Sequence, residues 1–442
     1  MSDSPSASYS QFHGSVAAFV LLIFLAKFTA KDVITIEYKG IEYLKRKLEQ
    51  KRIRVLKRYR YYEMKNTVQD FSPLIPEGFQ GIKEVSGWCA KAVDTLADRV
   101  VFDRFENDSF VIDEIFDFNN RDIFVDSAVL SAMIASCSFV YISADETNYP
   151  RLQVIDGGNA TGIIDPITNM LDEGYAVLER DENDNVKSEA YFTKEYTEYY
   201  EKGKLVDTFE NPAPYALLVP LIYRPDAVRP FGHSRISRAC MNLMQTALRT
   251  LKRSEVSAEF YSFPQKYVLG MSEDAEFNNR LAALSSFLRI DKDSDNDKPT
   301  VGQFTQQSMT PYIEQLKSIA SLFAAETGLT LDDLGFATNN PMSAEAIKAS
   351  HENLRLTARK AQRTFGSGLL NVGYLSACVR DNIEYERKAF CKTIPTWQPI
   401  FEPDSAALGA LGDAIFKINQ AVPDYLGAAN IRRLTGMEGD NG

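Results

Sequence analysis

The chain has 442 residues, 45% of them apolar and 25% charged, and its 49 Lys+Arg against 60 Asp+Glu give a formal net charge of −11. This is ordinary globular composition, long enough for two to four units at about 150 residues each, and it excludes a disordered or collagen-like chain. A chain this acidic does not coat nucleic acid with its whole surface, so any such contact is local.

From the N-terminus, residues 14–26 (GSVAAFVLLIFLA) are charge-free and apolar. They fall short of the roughly 18 residues a spanning helix needs. No Lys or Arg precedes them, as a secretory signal requires. Packing against another element or subunit is the reading they support, with membrane association as the alternative. Residues 36–66 form a basic helical segment, eleven Lys/Arg against four Glu, which reads equally as a solvated face or a partner-binding one. Residues 67–85 hold Pro73, Pro76, Gly78 and Gly81 and predict a loop, and 88–101 carry a helical apolar stripe. An acidic stretch, 102–126, has eight Asp/Glu and two Arg. A helix is expected over 124–137, then an alternating strand over 138–143 and several short strands with turn signals between them. Residues 157–162 (GGNATG) have the look of a phosphate-cradling loop without its Lys-Ser/Thr ending, and a turn between strands fits better.

Prolines 212, 214, 220, 225 and 230 precede a long helix, for which Ser234 is the expected cap. Its apolar line (Ile236, Cys240, Leu243, Ala247, Leu251) opposes a polar, basic one (Arg238, Asn242, Gln245, Arg249, Lys252). An extended stretch runs to Gly270, and 291–298 (DKDSDNDK) is an acidic loop. Thr310-Pro311 opens a second long helix that should stop at Gly328, with apolar positions at 309, 312, 313, 316, 320 and 323. Residues 329–342 read as a loop, and Ser343 caps a third long helix whose apolar stripe includes His351.

Chemistry is sparse. The five cysteines form no C-x-x-C pair and suit reduced thiols. Three histidines lie far apart, and His351-Glu352 lacks the second His of a zinc protease motif because Arg355 stands there. No Walker loop or nucleophile elbow is present, so no catalytic residue, metal or cofactor is expected.

Four stretches in register carry a family resemblance: 58–66 (RYRYYEMKN); Val93-Asp94-Thr95-Leu96-Ala97-Asp98-Arg99; 231–270, with its Gly-x-Ser-Arg-Ile start; and 334–349 (LGFATNNPMSAEAIKA). Together they resemble the portal proteins of tailed bacteriophages of the siphophage type. The resemblance implies an α+β, multi-domain fold with long stem and wing helices, a small α/β clip insertion and a mixed α/β wing. It implies a non-enzymatic ring, usually of twelve copies, at one capsid vertex. Its expected partners are further copies of itself, double-stranded DNA in the channel, the terminase large subunit, the head-tail adaptor, and the major capsid protein and scaffold. It implies residence in the virion after assembly in the host cytoplasm. On the family's map 1–32 is an N-terminal apolar segment, 33–231 the first part of the wing, 232–259 and 308–329 the stem helices, and 260–307 the clip. The tunnel loop is then 330–342, the wing helix and remaining wing 343–402, and a short crown 403–442. Asp332, Asp333, Asn339 and Asn340 of the loop, with Lys317, Arg249 and Lys252 of the stem, are the expected channel residues. Asp291, Asp293, Asp295 and Asp297 of the clip are the expected docking residues for terminase and adaptor. Two other classes stay open: a different head-tail connector, which should be shorter and lack the helix-insertion-helix order, and a cytosolic enzyme with an unrecognised site.

Overall fold

The computed structural model describes residues 38–68, 81, 83–262, 266–269, 300–303, 305, 308–336, 349–401, 405–423 and 425–435. The chain divides into two units, 1–39 and 40–442, and apart from Tyr38 and Lys39 the described residues belong to the second. The apolar stretch 14–26 lies outside them, and among the described residues no helix is long and apolar enough to cross a membrane.

The second unit opens with α1 (Ile41–Tyr62), α2 (Trp88–Ala97), β1 (Phe102–Glu106), α3 (Ile112–Phe118) and α4 (Arg121–Ala135). The last of these begins before the expected Phe124 and ends before the expected Cys137. Ser136 stops it by turning into the left-handed region at φ 99°. Then follow β2 (Cys137–Ala144), β3 (Pro150–Asp156), β4 (Ala160–Ile164), β5 (Leu171–Arg180), β6 (Val186–Phe192), β7 (Tyr196–Glu201), β8 (Lys204–Glu210) and β9 (Leu218–Ile222). The glycine-rich 157–162 stretch is the turn into β4 and its first residues, as the sequence suggests.

The strands form two main sheets. The three-stranded one is ordered β3-β2-β9, the five-stranded one β4-β5-β6-β7-β8, and every pairing is antiparallel. β2 was expected to alternate, yet its first six residues are all buried. Both of its faces are covered: Ser138 turns towards α4, donating to the Ala128 carbonyl (2.7 Å), while Phe139 and Tyr141 on the other face meet Lys51 of α1 and Phe192 and Tyr199 of the five-stranded sheet. A strand covered on both faces has no polar side to show.

The rest of the unit comprises α5 (Arg238–Ser262), β10 (Lys266–Leu269), β11 (Thr300–Gln303), α6 (Thr310–Thr327), a 3-10 turn at Asp332–Leu334, α7 (Glu352–Asp381), β12 (Ile394–Trp397), α8 (Ser405–Ala421) and α9 (Ala428–Thr435). β12 pairs with β1, tying the region after α7 to the start of the body. The C-terminal half of α7 is almost wholly buried. Glycines allow its close approach: a Cβ on Gly373 would lie 2.4 Å from the Ile112 side chain, and one on Gly368 as near to Leu221. The fold is α+β, with long helices leaving a mixed body.

Candidate functional site

The region of interest is the pair α5 and α6, the loop after them, and the anchor that roots them. The anchor is the Gly-x-Ser-Arg-Ile stretch, whose residues the sequence reading took as the start of the helix. Gly232 has φ +72°, and a Cβ there would lie 2.1 Å from the Tyr223 carbonyl, so only glycine fits. Ser234 is no helix cap. Its hydroxyl donates to the Ile134 carbonyl at the end of α4 (2.6 Å) and accepts from the Ile236 amide (3.0 Å). Ser237 takes the capping role instead, accepting from the Cys240 amide (3.1 Å).

Arg235 is buried and donates from Nε to the Ala92 carbonyl of α2 (3.0 Å) and from its guanidinium to the Thr327 carbonyl at the end of α6. One side chain thus joins the body, the start of one long helix and the end of the other. The motif was visible in the sequence; that its arginine points backwards into the body was not.

α5 and α6 run antiparallel. Ser237, at the start of α5, donates to Glu326 near the end of α6 (3.0 Å), and Ser257, near the end of α5, bonds Tyr312 near the start of α6 (2.8 Å). Beyond them β10 and β11 pair in antiparallel register from Lys266↔Gln303 to Leu269↔Thr300. The 30 residues between these strands, which include Asp291, Asp293, Asp295 and Asp297, lie outside the described residues.

The polar line expected along α5 is only partly open. Arg238 and Asn242 are exposed, and Arg249 is half-buried with a bond to Thr246 (3.0 Å). Gln245 is buried, donating to the Tyr61 hydroxyl (2.9 Å) and the Thr67 carbonyl (3.0 Å). Lys252 is 7% exposed, so it sits within the chain's own packing and not on an open face. The sequence period marks a polar stripe but not that α1 and the segment after it cover part of it. Lys317 is exposed on α6. On that helix the buried positions are Ile319, Ala320, Phe323, Ala324 and Thr327, while Ile313, expected on the apolar face, is exposed. The helix starts after Met309, and Gly328 ends it in the left-handed region (φ 71°), as expected.

The first part of the loop is folded onto the body. Leu329 and Leu334 are buried, and Phe336 meets Trp88 edge-on at 6.3 Å, beside the Trp88–Phe323 contact at 5.6 Å. Asp333 accepts from the Thr330 amide (2.8 Å) and hydroxyl (2.9 Å), while its own amide donates back to Thr330 Oγ1 (3.2 Å). His351, which precedes α7, reaches Asp333 at 3.4 Å. Burial opposes ionisation of Asp333, but the Thr330 donors and the neighbouring imidazole outweigh it and hold the carboxyl below its ordinary range. Asp333 therefore organises the turn, whereas Asp332 beside it is exposed. Asn339 and Asn340 lie outside the described residues. Among the described residues no group of three or more His, Cys, Asp or Glu is placed to hold a metal.

An antiparallel helix pair rooted in an α+β body, with a strand-closed insertion at its far end, is the helix-insertion-helix order that the sequence motifs imply. The chain belongs to the phage portal protein family: the family described as "Phage portal protein, SPP1 Gp6-like" matches residues 41–399, a span that contains all four motif stretches. Two curated relatives, the portal proteins of Mycobacterium phage L5 and Mycobacterium phage D29, are each 24% identical over 331 residues, covering 69% of this chain and 67% of theirs. Among solved structures, the neck of a native gene transfer agent particle computed with C12 symmetry matches at 12% identity and a TM-score of 0.45, over 79% of this chain and 90% of that one. The virion of a native gene transfer agent particle matches at 12% identity and a TM-score of 0.48, over 87% and 93%.

Proposed function

We propose that this chain is the repeating subunit of a closed ring, twelve copies around, that forms the DNA channel at one vertex of a phage capsid. Double-stranded DNA enters through it during packaging and leaves through it on ejection. The terminase large subunit docks first and the head-tail adaptor later, with the major capsid protein and scaffold surrounding the ring. The subunit has a structural, non-catalytic role, in the virion and before that in the host cytoplasm. The observation that carries this reading is the antiparallel α5/α6 pair with an insertion closed by β10 and β11, within a chain of the portal family. In this reading the pair is the stem, 270–299 with its four aspartates the core of the clip, 330–342 the tunnel loop, and α8 and α9 the crown.

The charge pattern suits a conduit. Each phosphate neutralised adds salt-dependent affinity that would brake a moving duplex. Lys317 and Arg249 each supply one positive charge per subunit on a chain of net charge −11, which gives the helix pair rings of isolated charge. The test is negative-stain microscopy with native mass spectrometry of the purified full-length chain. Rings with a central hole are expected. A monomer at micromolar concentration and moderate salt would overturn the reading.

A further inference from the structure

Nine of the eleven Lys/Arg of the basic segment lie within α1 and divide by helix face. The inward ones hold the body: Lys45 pairs with Glu189 (2.7 Å), Lys47 and Lys51 donate to the Gly162 and Ala160 carbonyls (2.9 and 3.0 Å), and Arg52 forms a forked pair with Asp184 (2.8 and 2.7 Å). Opposite the buried line Leu44-Leu48-Val55 run Arg46, Ile53, Lys57 and Arg60, all exposed, with exposed Arg54 at their edge. Arg46 and Ile53 stand seven residues apart, two turns, and steps of four and three lead on to Lys57 and Arg60, so these share one stripe, about 21 Å long at the helical rise. Ile53 stands 74% exposed in its middle. Glu42 and Glu49 lie on the N-terminal part of the same stripe, which keeps a net positive charge, and no ion pair among the described residues engages its four cations.

A second face has the opposite sign. Asp122 and Asp126 of α4 are exposed beside Ile123, itself 74% exposed, and Glu114 of the adjoining α3 is exposed as well. Arg121 is the nearby cation, and it is committed to Asp117 (2.5 Å) and Asp113 (3.8 Å). Partial desolvation, and after it repulsion from Asp122 and Asp98, pushes the Asp126 carboxyl above its ordinary range.

We infer that these two faces are the two sides of one subunit–subunit joint: the basic outer stripe of α1 in one copy docks on the acidic α3–α4 face of the next. The partner is a second copy of this chain, and the argument is charge complementarity around an apolar centre on each side. Each face is too one-signed to pair with its own twin, which disfavours a two-fold dimer. A contact between two different patches is head-to-tail, the kind that closes into rings. Like charges brought together would also reject misaligned encounters. This inference rests on the ring reading above.

A charge swap tests it. One variant carries Arg46→Glu, Lys57→Glu and Arg60→Glu; the other carries Glu114→Lys, Asp122→Lys and Asp126→Lys. All six positions are exposed, so both variants should fold, which circular dichroism and thermal unfolding will check. Each alone is expected to lose ring formation in native mass spectrometry. Mixed in equal amounts, they should regain closed rings with the two variants in equal number, because each reversed face then meets its complement. Rings formed normally by either variant alone, or folded variants whose mixture stays unassembled, would overturn the joint while wild-type rings leave the portal reading standing. A wild-type chain that forms no ring would overturn both.

Discussion

Asp333 is where one residue's position overrides its composition. In the sequence it is half of an acidic pair expected to line the channel; in the fold it is the acceptor that closes the 330–333 turn onto Thr330 and meets His351, just before α7. That turn carries Leu334 into the core and Phe336 onto Trp88. Because the folded-state pKa of Asp333 is lowered, the stabilisation is fully present above the unfolded carboxylate value near ~3.9. It disappears as pH falls through the lower folded value. Asp333→Asn keeps the shape and removes the charge, so it should destabilise the protein at pH 7 by about 1 kcal/mol, the scale of a lost cap. Thermal unfolding of the two proteins compared from pH 7 to pH 3 checks this. The gap should hold steady to about pH 4 and close below it, and a gap unchanged at pH 3 would mean that the carboxylate charge contributes nothing.

At the scale of elements, α1 is the clasp on the five-stranded sheet. Leu44 and Leu48 pack on Tyr175, Val177 and Tyr191, while Lys45 reaches Glu189, which is 4% exposed and also accepts from the Tyr175 hydroxyl. Burial and a carboxylate partner each, Glu189 for Tyr175 and Glu173 for Tyr191, push both phenols upward, so both remain donors. Removing Glu189 leaves the buried Tyr175 hydroxyl without its acceptor and loosens Lys45. Glu189→Ala should therefore cost about 1–3 kcal/mol and raise hydrogen exchange over α1 and β5 before the rest of the chain; exchange rising uniformly would show that α1 is not held there. The clasp also explains what was legible in the sequence. Periodicity gave α1, α2, α5 and α6, and Gly328 marked a stop, because helix faces and glycine stops are local. The role of Ser234 was misread because its hydroxyl answers to Ile134, a hundred positions away. The basic run could not be apportioned for the same reason: spacing sorts residues into faces, but the five-stranded sheet and α4 decide which face turns inward.

For the whole molecule the portal reading proposes a contact with DNA, and the fold divides the 330–342 loop into two parts with different expectations. Residues 330–336 belong to the body through Leu334, Phe336 and the Asp333 turn. Removing them would damage packing whatever the loop does, since burying a leucine side chain is worth about 1.5–3 kcal/mol. Residues 337–342, which include Asn339 and Asn340, lie between that docked turn and the start of α7, outside the described residues. The sharper deletion is therefore 337–342, with the Asp333 turn kept. If these residues line the channel, as the portal reading proposes, rings assembled from the deleted chain should match wild-type rings in subunit number and thermal stability, yet the heads built on them should package DNA slowly or incompletely. Exposed Lys317, on α6, supplies the control: Lys317→Ala removes one positive charge per subunit and should weaken retention of packaged DNA more at low salt than at high salt, the signature of a phosphate contact. Heads that fill at the normal rate with 337–342 absent, on rings shown to be intact, would make the loop a plain connection between the end of the stem and α7 and move the DNA contact to the helices themselves.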